Sequence, residues 1–164
     1  MTMQENIVTQ RLSLHILRED DADFMKSLVN SEGWLQFIGD RNVHSLDDAR
    51  EYIGRIQKTP DFTYWVVRLR ETNTPIGIIS FLKRTYLEHF DIGFAFLPEF
   101  NGRGYAYEAA NEVLSIVRKE PRFPHIIATT LPTNVSSIKL LKKLGFQFAN
   151  EIEVGSERVH LYMN

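Results

Sequence analysis

The chain of 164 residues contains no cysteine. Disulfides, zinc–thiolate sites, iron–sulfur clusters and a cysteine nucleophile are excluded together. No stretch approaches the roughly 18 apolar residues of a membrane span. The first ten residues are polar and lack the apolar core of a signal peptide. Neither sign of charge dominates: 19 Lys and Arg stand against 21 Asp and Glu, a net charge of −2. A dedicated nucleic-acid binder carries a strongly basic footprint, so that class is set aside. The five histidines, His15, His44, His89, His125 and His160, show no metal-ligand spacing, and no metal is expected. Repeats, low-complexity segments and linkers are missing as well. We expect a soluble, cytoplasmic protein that folds as one domain over residues 1–164, as a monomer or homodimer. A chain of this length buries roughly two-thirds of its unfolded surface.

What is present is patterned hydrophobicity. Leu12, Leu14 and Ile16 alternate with polar residues and predict a strand over 11–17. Asp20 or Asp21 can cap a helix carrying Ala22, Phe24, Met25, Leu28 and Val29. Ser45 and Asp48 resemble a capping box before a stripe of Ala49, Tyr52, Ile53 and Ile56. Segments 63–70 and 76–83, joined by a Thr-Asn-Thr-Pro turn, predict an antiparallel hairpin. A third strand over 89–97 places Phe90, Ile92, Phe94 and Phe96 on one face, and Asp91, Gly93, Ala95 and Leu97 on the other. Beyond Pro98 the spacing predicts a helix ending before Pro121 and Pro124, a strand over 125–130 and a helix over 136–144 closed by Gly145. Strands over 147–153 and 157–163 follow. The strand–helix–strand unit in this last part predicts a parallel pair. The fold class is α/β, a mixed sheet with helices against it.

The chemically informative segment is Leu97 to Ala106, which leaves a strand and opens a helix. Gly102 and Gly104 let the backbone of that turn approach a ligand closely. A helix N-terminus adds unpaired N–H groups and the positive end of a dipole, so the segment is a candidate phosphate or pyrophosphate site. The P-loop is excluded, since no Gly-Lys-Ser/Thr follows. The G-x-G-x-x-G dinucleotide fingerprint fails because its third glycine position holds Tyr107.

Asn101-x-x-Gly104-x-Ala106 resembles the Q/R-x-x-G-x-G/A signature of the GNAT N-acetyltransferase superfamily, with Asn in place of Gln or Arg. The run Gly-Arg-Gly-Tyr-Ala-Tyr-Glu-Ala-Ala at 102–110 is similar to the branch of bacterial ribosomal-protein N-terminal acetyltransferases. So are Thr9-Gln10-Arg11-Leu12-Ser13-Leu14, Asn134-Val135-Ser136-Ser137 and Leu141 to Phe146. The resemblance spans nearly the whole chain, with its motifs in order. It implies a mostly antiparallel sheet with a splayed parallel pair, acetyl-CoA as cosubstrate, and direct transfer to a primary amine.

Residue by residue, the resemblance implies that Phe94, Ala95, Phe96 and Leu97 line the pantetheine arm and acetyl carbonyl. A backbone N–H there would polarise that carbonyl. The amides of Gly102, Arg103, Gly104, Tyr105 and Ala106 would hold the pyrophosphate, with Asn101 opening the motif. Arg103 either adds charge to a phosphate or is solvated. Asn134 either touches the pantetheine arm or caps the following helix. Ser137 would protonate the leaving thiolate, because Leu141 stands where many relatives carry a tyrosine acid. Asp91 is the candidate base or water organiser, with a structural carboxylate as the alternative. Glu108 is read as structural. Trp34, Phe37 and Ile38 either border the acceptor or form a satellite cluster. The first acceptor expectation is a protein N-terminal α-amine. A small amine, such as a polyamine, amino acid or aminoglycoside, is the alternative, and a non-catalytic coenzyme A-binding module is the rival of another class. A strongly acidic acceptor pocket would favour cationic small molecules.

Overall fold

The apolar alternation read from the sequence builds one sheet, seen here in a computed structural model that describes residues 3–164. The strands are β1 (Asn6–Val8), β2 (Leu12–Ile16), β3 (Phe62–Leu69), β4 (Pro75–Leu82), β5 (Phe90–Phe96), β6 (Ile126–Thr130), β7 (Gln147–Val154) and β8 (Glu157–Met163). The helices are α1 (Ala22–Val29), α2 (Glu32–Phe37), α3 (Leu46–Lys58), α4 (Tyr105–Val117) and α5 (Val135–Lys143). The eight strands lie in the order β1-β2-β3-β4-β5-β6-β8-β7. Every pairing is antiparallel except β5 with β6. No helix of the described residues is long and apolar enough to cross a membrane.

The stripes seen in the sequence are the buried ones. Ala22, Phe24, Met25, Leu28 and Val29 of α1 join Ala49, Tyr52, Ile53 and Ile56 of α3 in one cluster. Ala109, Ala110, Val113, Leu114 and Val117 of α4 join Leu141 of α5 in another. The two clusters take opposite faces of β5: Phe90, Ile92, Phe94 and Phe96 go to the α4 side, Ala95 and Leu97 to the α1–α3 side. Period-2 alternation therefore sorts this strand as expected. Ser45 caps α3, its Oγ accepting from the Asp48 N–H at 3.0 Å. The Asp48 carboxylate accepts from the His44 N–H at 2.9 Å.

Several local expectations are corrected. The strand β1, with Ile7 buried, lies in the segment read as a polar lead. The short helix α2 occupies the stretch expected to link two helices. Asp21 stands at the N-cap of α1, but its side chain makes no cap hydrogen bond. Its carboxylate accepts instead from the Arg18 N–H at 2.8 Å and pairs with Arg68 at 3.3 Å. The strand–helix–strand unit β6–α5–β7 does not give an adjacent parallel pair, because β8 inserts between β6 and β7. The first five residues of β7 are exposed, whereas Leu161 and Tyr162 of β8 are buried. A polar strand belongs at a sheet edge and an apolar one inside it. The parallel pair that does form, β5 with β6, is bridged by α4.

Candidate active site

Two parallel neighbours end at the same edge of the sheet, so the segments following β5 and β6 meet there. The pairing between these strands covers only Phe90 with Ile126 and Asp91 with Ile127. From Ile92 onward β5 keeps its register with β4 and has none with β6. The strands therefore splay. Phe94 to Leu97 are only half-buried although β5 lies in the interior of the sheet.

Regular alternation fixes which backbone groups face the opening. Leu97 donates its N–H to the Ile76 carbonyl at 2.9 Å, toward β4. The N–H and C=O groups of Phe96 and Phe94 then point the other way, toward β6. Unpaired strand groups of this kind form a ladder that an extended amide-bearing chain can complete.

Beyond β5, a 3₁₀ turn at Pro98–Phe100 leads into Asn101, and residues 101–104 are exposed. Gly102 and Gly104 have φ of +75° and +82°, in the left-handed region where a side chain is strained. A Cβ at Gly102 would meet nothing within 4 Å. Backbone conformation, not crowding, calls for glycine there. Gly104 is the N-cap of α4 and supplies no side-chain cap. The first α4 hydrogen bond runs from Glu108 N–H to the Gly104 carbonyl at 3.0 Å, which leaves the earlier amides without helical partners. The cradle thus fits an anionic diphosphate in backbone geometry and dipole.

The turn is braced from behind by residues whose role the sequence did not disclose. Arg11 donates from Nη1 to the Arg103 carbonyl at 3.0 Å and from Nε to Glu108 Oε1 at 2.7 Å. Its backbone N–H donates to Glu108 Oε2 at 2.9 Å, and the Thr9 hydroxyl donates to the same oxygen at 2.5 Å. The guanidinium also lies over the Tyr105 ring, 4.5 Å from its centroid. Burial raises the Glu108 pKa, but the Thr9 and Arg11 donors outweigh it and hold the carboxyl below its ordinary value. Both Glu108 oxygens are thus occupied by protein donors. Nothing in the sequence signals a contact between residues 11 and 108, which are 97 positions apart.

After β6, Asn134 caps α5: its Oδ1 accepts from the Ser137 N–H at 3.3 Å. The Ser137 hydroxyl makes no hydrogen bond among the described residues and is half-buried. Leu141, at the tyrosine position, is buried in the core.

Asp91 sits at the closed end of the splay, in the last paired row. It is 4% exposed, and its Oδ2 accepts from Arg84 Nε at 3.0 Å. Burial raises its pKa, and the Arg84 charge and hydrogen bond offset this only in part. Asp91 thus belongs to β5 and Ser137 to the first turn of α5, the helix that follows β6. In the sheet, Tyr64 of β3 pairs with Ser80, and Ser80 with Gly93. Burial pushes the Tyr64 hydroxyl pKa up, with the charges of Arg84, Arg41 and Asp91 acting on it as well.

A sheet that opens beside an uncapped helix N-terminus offers backbone donors to an extended, anionic ligand. The acetyltransferase (GNAT) domain family matches residues 11–147. The chain belongs to the GNAT acetyltransferase family and is an acyltransferase enzyme. It is 29% identical over 142 residues to the uncharacterized N-acetyltransferase YnaD of Bacillus subtilis (strain 168), covering 87% of this chain and 82% of that protein. A GNAT-family acetyltransferase structure from Bacillus anthracis has a TM-score of 0.80 at 25% identity, covering 97% of each chain. RimL, the ribosomal L7/L12 α-N-protein acetyltransferase solved with coenzyme A, has the same fold. Its TM-score is 0.83 at 16% identity, over 98% of this chain and 97% of that one.

Proposed function

We propose that this enzyme transfers the acetyl group of acetyl-CoA to the α-amine of a polypeptide N-terminus. The observation that carries the cosubstrate is the β5–β6 opening beside the positive-φ glycines and uncapped N-terminus of α4. In this reading the amides of Gly102, Arg103, Gly104, Tyr105 and Ala106 hold the pyrophosphate, with Asn101 at the loop's entry. The opening bounded by Phe94, Ala95, Phe96 and Leu97 takes the pantetheine arm, with Asn134 and Ser137 beside it.

Acetyl-CoA supplies a thioester whose acyl carbon forms a bond to the amine nitrogen as its bond to sulfur breaks. The β5 amides orient and polarise the carbonyl. Asp91, directly or through a water, takes the proton that the amine loses, and the Ser137 hydroxyl gives one to the departing sulfur. The two proton tasks fall to residues of two elements, Asp91 of β5 and Ser137 of α5. An α-amine has an ordinary pKa of about 7.7–8.0, so it needs only modest help to be neutral.

Support for a peptide α-amine over a polycation comes from charge. The one buried carboxylate on this face of β5, Asp91, is already paired with Arg84, and Arg41 adds a second positive group. RimL, named as an α-N-protein acetyltransferase, shares the fold.

The decisive experiment is thermal unfolding with and without acetyl-CoA, followed by acetyl transfer to a peptide. A ligand at 100 times its dissociation constant stabilises by about 2.7 kcal/mol, a rise of roughly 5–10 °C for a domain of this size. No shift at millimolar acetyl-CoA overturns the cosubstrate assignment. Binding without transfer to any amine favours the non-catalytic module instead.

Two variants separate binding from chemistry. Ser137→Ala is expected to lower kcat about tenfold or more while leaving the acetyl-CoA dissociation constant within about twofold. An unchanged kcat at saturating substrates removes Ser137 from the mechanism. Arg11→Ala is expected to raise the KM for acetyl-CoA about tenfold with little change in kcat, because it loosens the loop and touches no reacting atom. Equal losses in kcat and affinity would show a wider collapse of the site.

A further inference from the structure

Asn101 is the one asparagine of this chain that is followed by glycine. It stands where the signature it resembles carries Gln or Arg. Asparagine is a chemically labile residue. The nitrogen of the next peptide can attack its side-chain carbonyl carbon through a five-membered ring. A glycine in the next place leaves that nitrogen unshielded, because it has no Cβ. Whether a folded chain permits the attack depends on what holds the side chain and the peptide group between the two residues.

Among the described residues nothing holds either. The Asn101 side chain makes no hydrogen bond, and residues 101–104 are all exposed. Neither the Asn101 carbonyl nor the Gly102 N–H takes part in a hydrogen bond. Only the Asn101 N–H is tied, donating to the Pro98 carbonyl at 3.1 Å. That bond fixes the near side of the residue and leaves the peptide group beyond it free to turn. Asn101 is extended, with ψ of 154°, so this peptide group must rotate for the ring to close. A Cβ built at Gly102 meets nothing within 4 Å, so the rotation has open space. Asn30 shows the opposite case. It is exposed and precedes Ser31, but its Nδ2 donates to the Lys26 and Val43 carbonyls, each at 2.8 Å.

We propose that Asn101 is a self-modification site, at which the chain converts its own asparagine to aspartate or isoaspartate inside the loop that opens α4. The Gly102 nitrogen gives up its proton and bonds to Asn101 Cγ. The Cγ–Nδ2 bond breaks, and Nδ2 leaves as ammonia. Water then opens the cyclic imide. Cleavage between the Gly102 nitrogen and Cγ yields aspartate. Cleavage between that nitrogen and the main-chain carbonyl carbon yields isoaspartate, whose backbone is one methylene longer. Water is the only co-reactant. The consequence rests on the acetyl-CoA reading above. Either product puts a carboxylate at the entry to the amides assigned to the diphosphate, and isoaspartate also displaces them. A diphosphate held on those amides restrains the Gly102 peptide group, so the cosubstrate protects its own site and enzyme left without it ages.

The test incubates the wild-type enzyme at mildly alkaline pH, with and without saturating acetyl-CoA. Peptide mapping by mass spectrometry reads replacement of NH2 by OH at each asparagine, and an isoaspartyl methyltransferase assay reads the isomer. Asn101 is expected to convert while Asn30 stays intact, and acetyl-CoA is expected to slow the conversion. Aged enzyme and Asn101→Asp are both expected to bind acetyl-CoA about fivefold or more weakly than fresh wild type. Asn101→Gln, which needs a larger ring to react, is expected to keep its own starting affinity throughout. An Asn101 still intact when a free peptide of the same local sequence has converted overturns the modification site and leaves the acetyl-CoA reading standing. Conversion that acetyl-CoA does not slow, with affinity unchanged in aged enzyme, leaves the site but overturns its consequence and the loop assignment with it.

Discussion

Gly104→Glu is expected to abolish acetyl-CoA binding, a loss of more than about 100-fold in affinity. Two effects add. The left-handed φ of +82° at this position disfavours any side chain, at a cost of roughly 1–3 kcal/mol for a strained non-glycine residue. The new carboxylate also stands at the mouth of amides assigned to a diphosphate, where like charges repel. A Cβ there comes within 3.3 Å of Arg11 Nη2, so the new side chain competes for the guanidinium that holds the Arg103 carbonyl. Calorimetric titration with acetyl-CoA measures the loss, and circular dichroism checks that α4 survives. Gly104→Ala separates the two effects, since it adds strain without charge and is expected to lose less. Wild-type affinity in Gly104→Glu would sink the loop assignment.

Asp91→Asn is expected to lower kcat by about 100-fold or more, the range for loss of a general base, with acetyl-CoA affinity retained. Asparagine keeps the shape and leaves an oxygen for Arg84 Nε. The pH profile gives the sharper readout. Burial holds the folded pKa above the ordinary 3.8, and Arg84 offsets this only in part. A base works when ionised, so wild-type kcat/KM should fall as pH drops through that raised value. Asp91→Asn should lose this acid limb. Linkage runs in a fixed sense too. Between 3.8 and the raised value the folded state holds more proton than the unfolded one, so this group's contribution to stability declines as pH rises through that window. An unaltered kcat and acid limb would return Asp91 to a structural role as the partner of Arg84.

The two halves of the proposed chemistry were unequally legible, and the difference follows the range of the interactions. The glycine turn assigned to the diphosphate is local. Gly102, Gly104 and the start of α4 lie within a few residues, and their strained φ is written in the glycines themselves. The helix caps are equally local: Ser45 caps α3 as expected, and Asn134 makes the cap that was one of its two readings. The faces of β5 follow from alternation alone. By contrast, β1 holds a single buried residue, too short a signal for any period. The place of β8 between β6 and β7 depends on a hairpin's choice of edge, which a strand–helix–strand pattern does not encode.

The sequence by itself determined the mixed sheet with its helices, the absence of thiol chemistry, and the two-glycine turn that opens α4. These depend on residue type and short spacing. The resemblance had implied a splayed pair; tertiary structure decided that it parts after Asp91, that Arg11 and Thr9 hold Glu108 behind the loop, and that Arg84 claims Asp91. It alone left Trp34 with a donor and no acceptor. Each of these joins residues far apart in the chain, or depends on what burial removes from water. Neither can be read from spacing, because the energy of a buried charge or donor is set by the neighbours that the fold brings to it.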